Sequence, residues 1–142
     1  MIRITKSIII NSPVEKVFEY LSNPEQIMEW QPNVTNIKDI TGHGEQQRWT
    51  WNYKVMGMSF REKATVARST LNAERRVDSK GGIPNTWLWK FKTENGGTRL
   101  DCEMDYTIRF PLLGKVGELL LLRGNNRIVN KAMVNIKNRM ES

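Results

Sequence analysis

GTRLDCEMDYTIRF, residues 97–110, alternates polar and apolar side chains without interruption from Arg99 to Phe110. A period of two is typical of a strand with one solvated face and one buried face. After Pro111 the apolar spacing becomes that of a helix, which we predict over about 112–140. Its apolar stripe is Leu113, Val116, Leu120, Val129, Met133, Ile136 and Met140. A long half-buried strand followed by a long half-buried helix favours a curved sheet wrapped around one helix, which tends to enclose a pocket.

The rest of the chain predicts further strands and two short helices. Turn signals divide the extended segments into strands at 2–10, 33–41, 46–55, 58–68, 71–80, 85–94 and 97–110. Strands joined by short turns pair antiparallel. After the first strand, Ser12 supplies an N-cap hydroxyl before Pro13, and Asn23 repeats the signal before Pro24. The order predicts an α+β fold in which about seven antiparallel strands carry helices on one face.

Composition limits the class of protein. The 142 residues are enough for one domain, 1–142, with a single core. There is no apolar run long enough to cross a bilayer and no secretory signal at the N-terminus, so we expect a cytoplasmic protein. One cysteine, Cys102, excludes an internal disulfide and a thiolate metal cluster.

A net charge of +7 raises the question of an acidic partner. Lysine and arginine are spread along the chain, and the densest cluster lies on the last predicted helix: Arg123, Arg127, Lys131, Lys137 and Arg139. We favour a solvated surface and expect no nucleic acid. Contact with an anionic membrane surface or an acidic partner is the alternative, and the oligomeric state is open.

Four segments resemble the helix-grip superfamily, which includes START lipid-transfer domains, birch-pollen-allergen proteins and polyketide cyclases (SRPBCC proteins). They are the start of the first helix at Ser12–Phe18, the segment from Leu21 to Val34, the turn at Gly96–Leu100, and the final helix ending at Asn135–Glu141. The resemblance spans nearly the whole chain. It implies a deep cavity between the sheet and the last helix that holds a lipid, quinone or polyketide-like molecule. These are fold motifs, so no catalytic residue transfers with them.

The predicted buried face of the sheet is rich in aromatic rings. It comprises Trp49, Trp51, Tyr53, Phe60, Val66, Trp87, Trp89, Phe91, Leu100, Met104, Tyr106 and Ile108. Aromatic walls with few polar groups are typical of small-molecule pockets. The same rings are also common core fillers. As ligand-binding candidates we take Trp49, Trp51, Tyr53, Phe60, Glu62, Arg75, Trp87, Trp89, Met104 and Tyr106.

Two charged residues fall on the buried parity of their strands. Glu62 shares parity with Phe60 and Val66, and Arg75 with Val77. Unpaired buried charges are costly, so we expect the two to pair with each other or with water, or to lie at the rim of the sheet after a shift in parity. Glu62 is the candidate general base, with Tyr53 and Tyr106 as candidate proton donors.

Three functions remain open from the sequence. The preferred one is non-enzymatic binding or carriage of a hydrophobic small molecule. The alternative is an aromatase/cyclase or dehydratase that uses Glu62, and the weakest is an assembly or chaperone-associated factor that docks through its basic helix. His43 lies between two glycines in a turn and Cys102 on an apolar face, so we predict neither a metal site nor a cofactor.

Overall fold

The computed structural model describes residues 1–108 and 114–142. In chain order the elements are β1 (Ile2–Ile10), α1 (Val14–Leu21), a 3₁₀ turn (Pro24–Gln26), α2 (Ile27–Trp30), β2 (Val34–Thr41), β3 (Arg48–Val55), β4 (Met58–Thr70), β5 (Glu74–Gly81), β6 (Asn85–Glu94), β7 (Gly97–Tyr106) and α3 (Gly114–Glu141). The predicted order of elements is confirmed. Predicted positions 109–110 of the last strand and 112–113 of the last helix lie outside the described residues.

The seven strands form one antiparallel sheet in the order β1-β7-β6-β5-β4-β3-β2. The first and last strands of the chain pair over their full length, from Ile2 opposite Tyr106 to Ile10 opposite Thr98. Every other neighbouring pair is a hairpin between consecutive strands. With α1, α2 and α3 packed on the sheet, this is the helix-grip fold that the sequence predicted.

Alternation along the strands explains the core. On β3 the side chains of Trp49, Trp51, Tyr53 and Val55 are buried, while those between them are exposed or half-buried. The predicted buried face is confirmed for all but two residues: Phe60 and Ile108 are half-buried.

Both short helices begin where the sequence predicted, but only one of the two expected N-cap side chains caps its helix. The Asn23 side chain accepts a hydrogen bond from the backbone N–H of Glu25 at 3.0 Å. The prediction for Ser12 is wrong, because Pro13 occupies the cap position of α1 and no side chain caps the helix. Ser12 lies one residue further out, and its carbonyl instead accepts a hydrogen bond from the Thr98 hydroxyl at 2.8 Å.

The buried stripe of α3 differs from the predicted one in its first half. Val116 and Leu120 are 67% and 48% exposed, and Leu113 lies outside the described residues. The buried positions are Gly117, Leu121, Asn125, Val129, Ala132, Met133 and Ile136. Every fourth residue counted backwards from Val129 lies on this stripe. In the first half of α3 the helical repeat, and not the hydrophobicity of each residue, therefore decides which side chains are buried. Within 1–108 and 114–142, no helix has both the length and the hydropathy needed to span a membrane.

Candidate functional site

Two small cavities lie between the sheet and the helices. The amide cavity is lined by Gln31, Asn33, Trp51, Tyr53, Ile83, Asn85, Trp87, Met104, Asn125 and Ile128. The tryptophan cavity is lined by Leu21, Ile27, Trp30, Gln31, Trp49, Trp51, Arg75, Val77, Trp87 and Trp89. Each has a volume of about 20 Å³, enough for about one water molecule. Among the described residues, these two water-sized voids do not amount to the deep cavity that the resemblance implies, because aromatic rings fill most of the space.

The tryptophan cavity gathers all five tryptophans of the chain. Trp87 and Trp89 stack with ring centroids 5.6 Å apart, and Trp30 meets Trp89 edge-on at 5.5 Å. Trp49 and Trp51 are also edge-on, at 5.8 Å. These are preferred aromatic geometries, so the rings stabilise one another in this wall. Four of its members were predicted from strand parity; Trp30 comes from α2.

Arg75 is the charged residue of the tryptophan cavity. It is 2% exposed, and its guanidinium donates one hydrogen bond of 3.3 Å, from Nη2 to Oε1 of Gln47. Burial lowers its pKa to about 10, which still leaves it charged at neutral pH. Within the described residues no carboxylate pairs with it.

The predicted pairing of Arg75 with Glu62 is wrong. In the sheet register Arg75 lies opposite Ser69, whereas Glu62 lies opposite Gly81. Six residues of β5 separate those two positions, roughly 20 Å at the rise of an extended strand. Neither side chain is long enough to bridge that distance.

Glu62 is 1% exposed and accepts four hydrogen bonds. Its Oε1 accepts from the Ser79 hydroxyl at 2.6 Å and from Nδ2 of Asn85 at 2.9 Å. Its Oε2 accepts from the Tyr53 hydroxyl at 2.5 Å and from the backbone N–H of Ile83 at 2.8 Å. Each carboxylate oxygen has two lone pairs, so the acceptor capacity of Glu62 is full. Glu62 lines neither cavity and lies behind residues that do.

Two glycines allow this close packing around Glu62. A Cβ on Gly81, whose φ is +145°, would lie 2.6 Å from the Arg61 carbonyl oxygen. A Cβ on Gly82 would lie 2.1 Å from the Phe60 ring. Glycine at both positions therefore lets the β5–β6 connection fold over β4 and bring the Ile83 N–H to the carboxylate.

The amide cavity contains polar residues that the sequence analysis missed. Its amides are Gln31, Asn33, Asn85 and Asn125. Asn85 shares strand parity with Trp87, and Asn125 lies on the buried stripe of α3, so a polar residue on an apolar face was the available signal. Gln31 follows the last residue of α2, where no periodic pattern reveals burial. The side-chain amide oxygens of Gln31 and Asn85 are buried without a hydrogen-bond partner.

Four residues that the sequence analysis considered line neither cavity: Tyr106, Phe60, His43 and Cys102. Tyr106 is buried, which raises its pKa, while neighbouring Asn125 acts in the opposite direction; its hydroxyl makes no hydrogen bond of standard geometry. Phe60 packs on Tyr53 with ring centroids 5.5 Å apart. His43 is exposed, and Cys102 is buried among core residues.

The site offers binding groups rather than an evident proton-transfer pair. Burial raises the pKa of Tyr53 far above its ordinary value, and Glu62 adds to the shift. The Tyr53 proton is therefore held on its hydroxyl, where it bonds Glu62. What faces the cavities is an aromatic surface, amide oxygens and one guanidinium.

Comparisons with solved structures agree with this architecture. TTHA0849 from Thermus thermophilus is 20% identical, with a TM-score of 0.82 over 98% of this chain and 97% of that one. A START superfamily protein from Mycobacterium smegmatis is 15% identical, with a TM-score of 0.77 over 98% and 97%. The di-domain ARO/CYC BexL of the BE-7585A biosynthetic pathway is 13% identical, with a TM-score of 0.78 over 99% of this chain and 50% of that one.

At these identities the likeness establishes the fold alone. No curated protein matches the chain. A sequence profile described as "Polyketide cyclase / dehydrase and lipid transport" does match it, over residues 1–141. The chain therefore belongs to the polyketide cyclase/dehydrase and lipid-transport family.

Proposed function

We propose that this protein binds and carries a hydrophobic small molecule between its sheet and its helices, without transforming it. The observation that carries the proposal is the pair of adjoining cavities. They share Gln31, Trp51 and Trp87 in their walls, so a ligand that moves these side chains would extend through both. The tryptophan cavity suits an apolar body, and the unpartnered side-chain oxygens of Gln31 and Asn85 in the amide cavity suit hydrogen-bond donors of the ligand.

Binding requires the cavities to widen, since each has room for about one water molecule. The sheet side is fixed by hydrogen-bonded pairing of each strand with its neighbours. The α2 wall is held to α3 by a hydrogen bond from the Asn135 amide to the Trp30 carbonyl and by an exposed ion pair between Arg139 and Glu29. Exposed pairs contribute little, so we expect a ligand to enter by displacing the helix side.

The enzymatic alternative uses Glu62 as a general base. A base needs a lone pair free for the substrate proton, and all four positions on Glu62 accept hydrogen bonds from the protein. Glu62 also lies behind the cavity walls. These observations favour a positioning role for Glu62 and thus a carrier over a cyclase.

The test is titration with phenylnaphthylamine, a neutral aromatic amine that becomes fluorescent in apolar sites. We expect saturable one-to-one binding to the wild-type protein. Ile128→Trp replaces an aliphatic side chain in the wall of the amide cavity by a much larger indole ring. It should weaken binding about tenfold or more, since the ring occupies the ligand's space. Val134→Trp adds the same ring at an exposed position of α3 and should leave affinity unchanged.

Mass spectrometry of the denatured wild-type protein provides a second, variant-free measurement. A hydrophobic molecule released in stoichiometric amount supports the proposal. No saturable binding of phenylnaphthylamine together with no released molecule would overturn it.

A further inference from the structure

The guanidinium of Arg75 in the tryptophan cavity has fewer hydrogen-bond acceptors around it than it has N–H donors. Arg75 has five N–H donors, and among the described residues its guanidinium bonds one neutral oxygen, Oε1 of Gln47. Gln47 is itself buried, and its amide nitrogen is already used by the Gly42 carbonyl at 3.2 Å. Most of the hydrogen-bonding capacity of a buried positive charge is thus unused.

Other unused donors belong to the same cavity. The indole N–H groups of Trp30 and Trp49 are buried without a partner, and an indole can only donate. Both residues line the tryptophan cavity with Arg75. A group that satisfies these donors must be rich in acceptors, and one that offsets the guanidinium must be negatively charged.

We propose that Arg75 binds the anionic head group of the carried molecule, a carboxylate, phosphate or sulfonate attached to an apolar body. This deepens the proposed function and rests on it. Arg75 lines the tryptophan cavity and not the amide cavity, so the head group lies at the Arg75 end and the body extends along the tryptophans. The net charge of +7 favours the approach of such an anion.

The experiment compares two probes that differ in one charged group. Anilinonaphthalene sulfonate is phenylnaphthylamine with a sulfonate added to its ring system. In Arg75→Met we expect the affinity for the sulfonate to fall about tenfold or more, with phenylnaphthylamine binding changed less than about threefold. Arg76→Met, which removes an exposed arginine from the opposite face of β5, should change neither.

Several outcomes decide the matter. Equal losses for both probes, or an unchanged affinity for the sulfonate, would overturn the proposal, as would failure of phenylnaphthylamine to displace the sulfonate from the wild-type protein. Arg75→Gln is the second neutral variant if Arg75→Met does not fold. If phenylnaphthylamine binds the wild-type protein and the sulfonate has no Arg75 dependence, only the head-group proposal fails. If neither probe binds and the denatured protein releases no hydrophobic molecule, the proposed function fails as well.

Displacement of phenylnaphthylamine from the wild-type protein distinguishes the head groups. Dodecanoate and dodecyl phosphate present a carboxylate and a phosphate on the same chain, and dodecanol is their neutral counterpart. We expect at least one of the two anions to compete about tenfold better than dodecanol in the wild-type protein and no better in Arg75→Met. Equal competition by all three in the wild-type protein would overturn the proposal.

Discussion

Glu62 joins three strands and the β5–β6 connection through the four donors that surround it. In Glu62→Gln an amide NH₂ group, which can only donate, replaces one carboxylate oxygen. At either position it would face another N–H donor, that of Ile83 or of the Asn85 side chain, and neither of these can accept a hydrogen bond. We expect a loss of about 1–3 kcal/mol in the free energy of unfolding, measured by urea denaturation.

The matched control for that variant is Glu19→Gln, which makes the same change at an exposed position of α1 and should be nearly neutral. Phenylnaphthylamine should bind folded Glu62→Gln as it binds the wild type. A variant of unchanged stability would contradict the role assigned to the hydrogen-bond network.

Replacing Arg75 should have the opposite effect to replacing Glu62, namely an increase in stability. Its buried, poorly partnered charge destabilises the ligand-free protein, so Arg75→Met should increase the free energy of unfolding by about 1–4 kcal/mol. Urea denaturation of both proteins measures the difference. A less stable variant would mean that the guanidinium contributes more to the fold than its one hydrogen bond indicates.

The same comparison has a pH dependence with a definite sign. The pKa of Arg75 is lowered to about 10 in the folded protein, because burial disfavours the charged form. Below pH 10 both the folded and unfolded states hold the proton and the penalty is complete. Above about pH 10 the folded state loses the proton before the unfolded state does, so the unfolded state binds more protons and the penalty decreases as pH rises. The stability advantage of Arg75→Met should therefore be larger at pH 8 than at pH 11.

Among the elements, the end of β5 and its connection to β6 require glycine. In Gly81→Ala the added methyl meets backbone at 2.6 Å in a conformation that other residues rarely adopt. Gly44→Ala imposes a positive φ of +68° as well, but nothing lies within 4 Å of its Cβ. We expect about 1 kcal/mol of destabilisation for Gly44→Ala and more than twice that for Gly81→Ala, measured by thermal unfolding.

Elements were predictable where a local pattern determines them. Strict alternation identified β3, β6 and β7, because burial of one face requires a period of two. The predicted strand 71–80 begins later, at Glu74, because Asn72 adopts a positive φ of 57° in the preceding turn. The predicted strand 97–110 ends as a strand at Tyr106 within the described residues. Side-chain identity alone does not mark such ends.

The site was predictable only in part, for a different reason. Strand parity left two alternatives for Glu62 and Arg75, burial or a position at the rim, and the structure shows that both are buried. Their partners depend on the register of β4 against β5, which positions them far apart. Gln31 and Ile83 reach the site from connections, and no periodicity governs those. The volume of the cavities depends on how five indoles interlock, which a list of buried residues does not specify.

For the whole molecule, we expect the positive net charge to make the rate at which an anionic ligand binds dependent on salt concentration. The chain has a net charge of +7, and a positive field accelerates the approach of anions but not of neutral molecules. In stopped-flow measurements we expect the association rate of anilinonaphthalene sulfonate to fall as ionic strength rises from about 0.01 M to 1 M, where the screening length shortens from about 30 Å to 3 Å. The rate for phenylnaphthylamine should stay constant. Equal salt dependence for both probes would contradict electrostatic steering.

The stacked pair Trp87–Trp89, with centroids 5.6 Å apart, has an optical consequence. Two indole chromophores at that separation share their excited states, so they should contribute a paired positive and negative band to the circular dichroism spectrum. A guest that parts the rings would collapse this couplet. Loss of this couplet during titration with phenylnaphthylamine would therefore report, without any label, that the ligand separates the two rings.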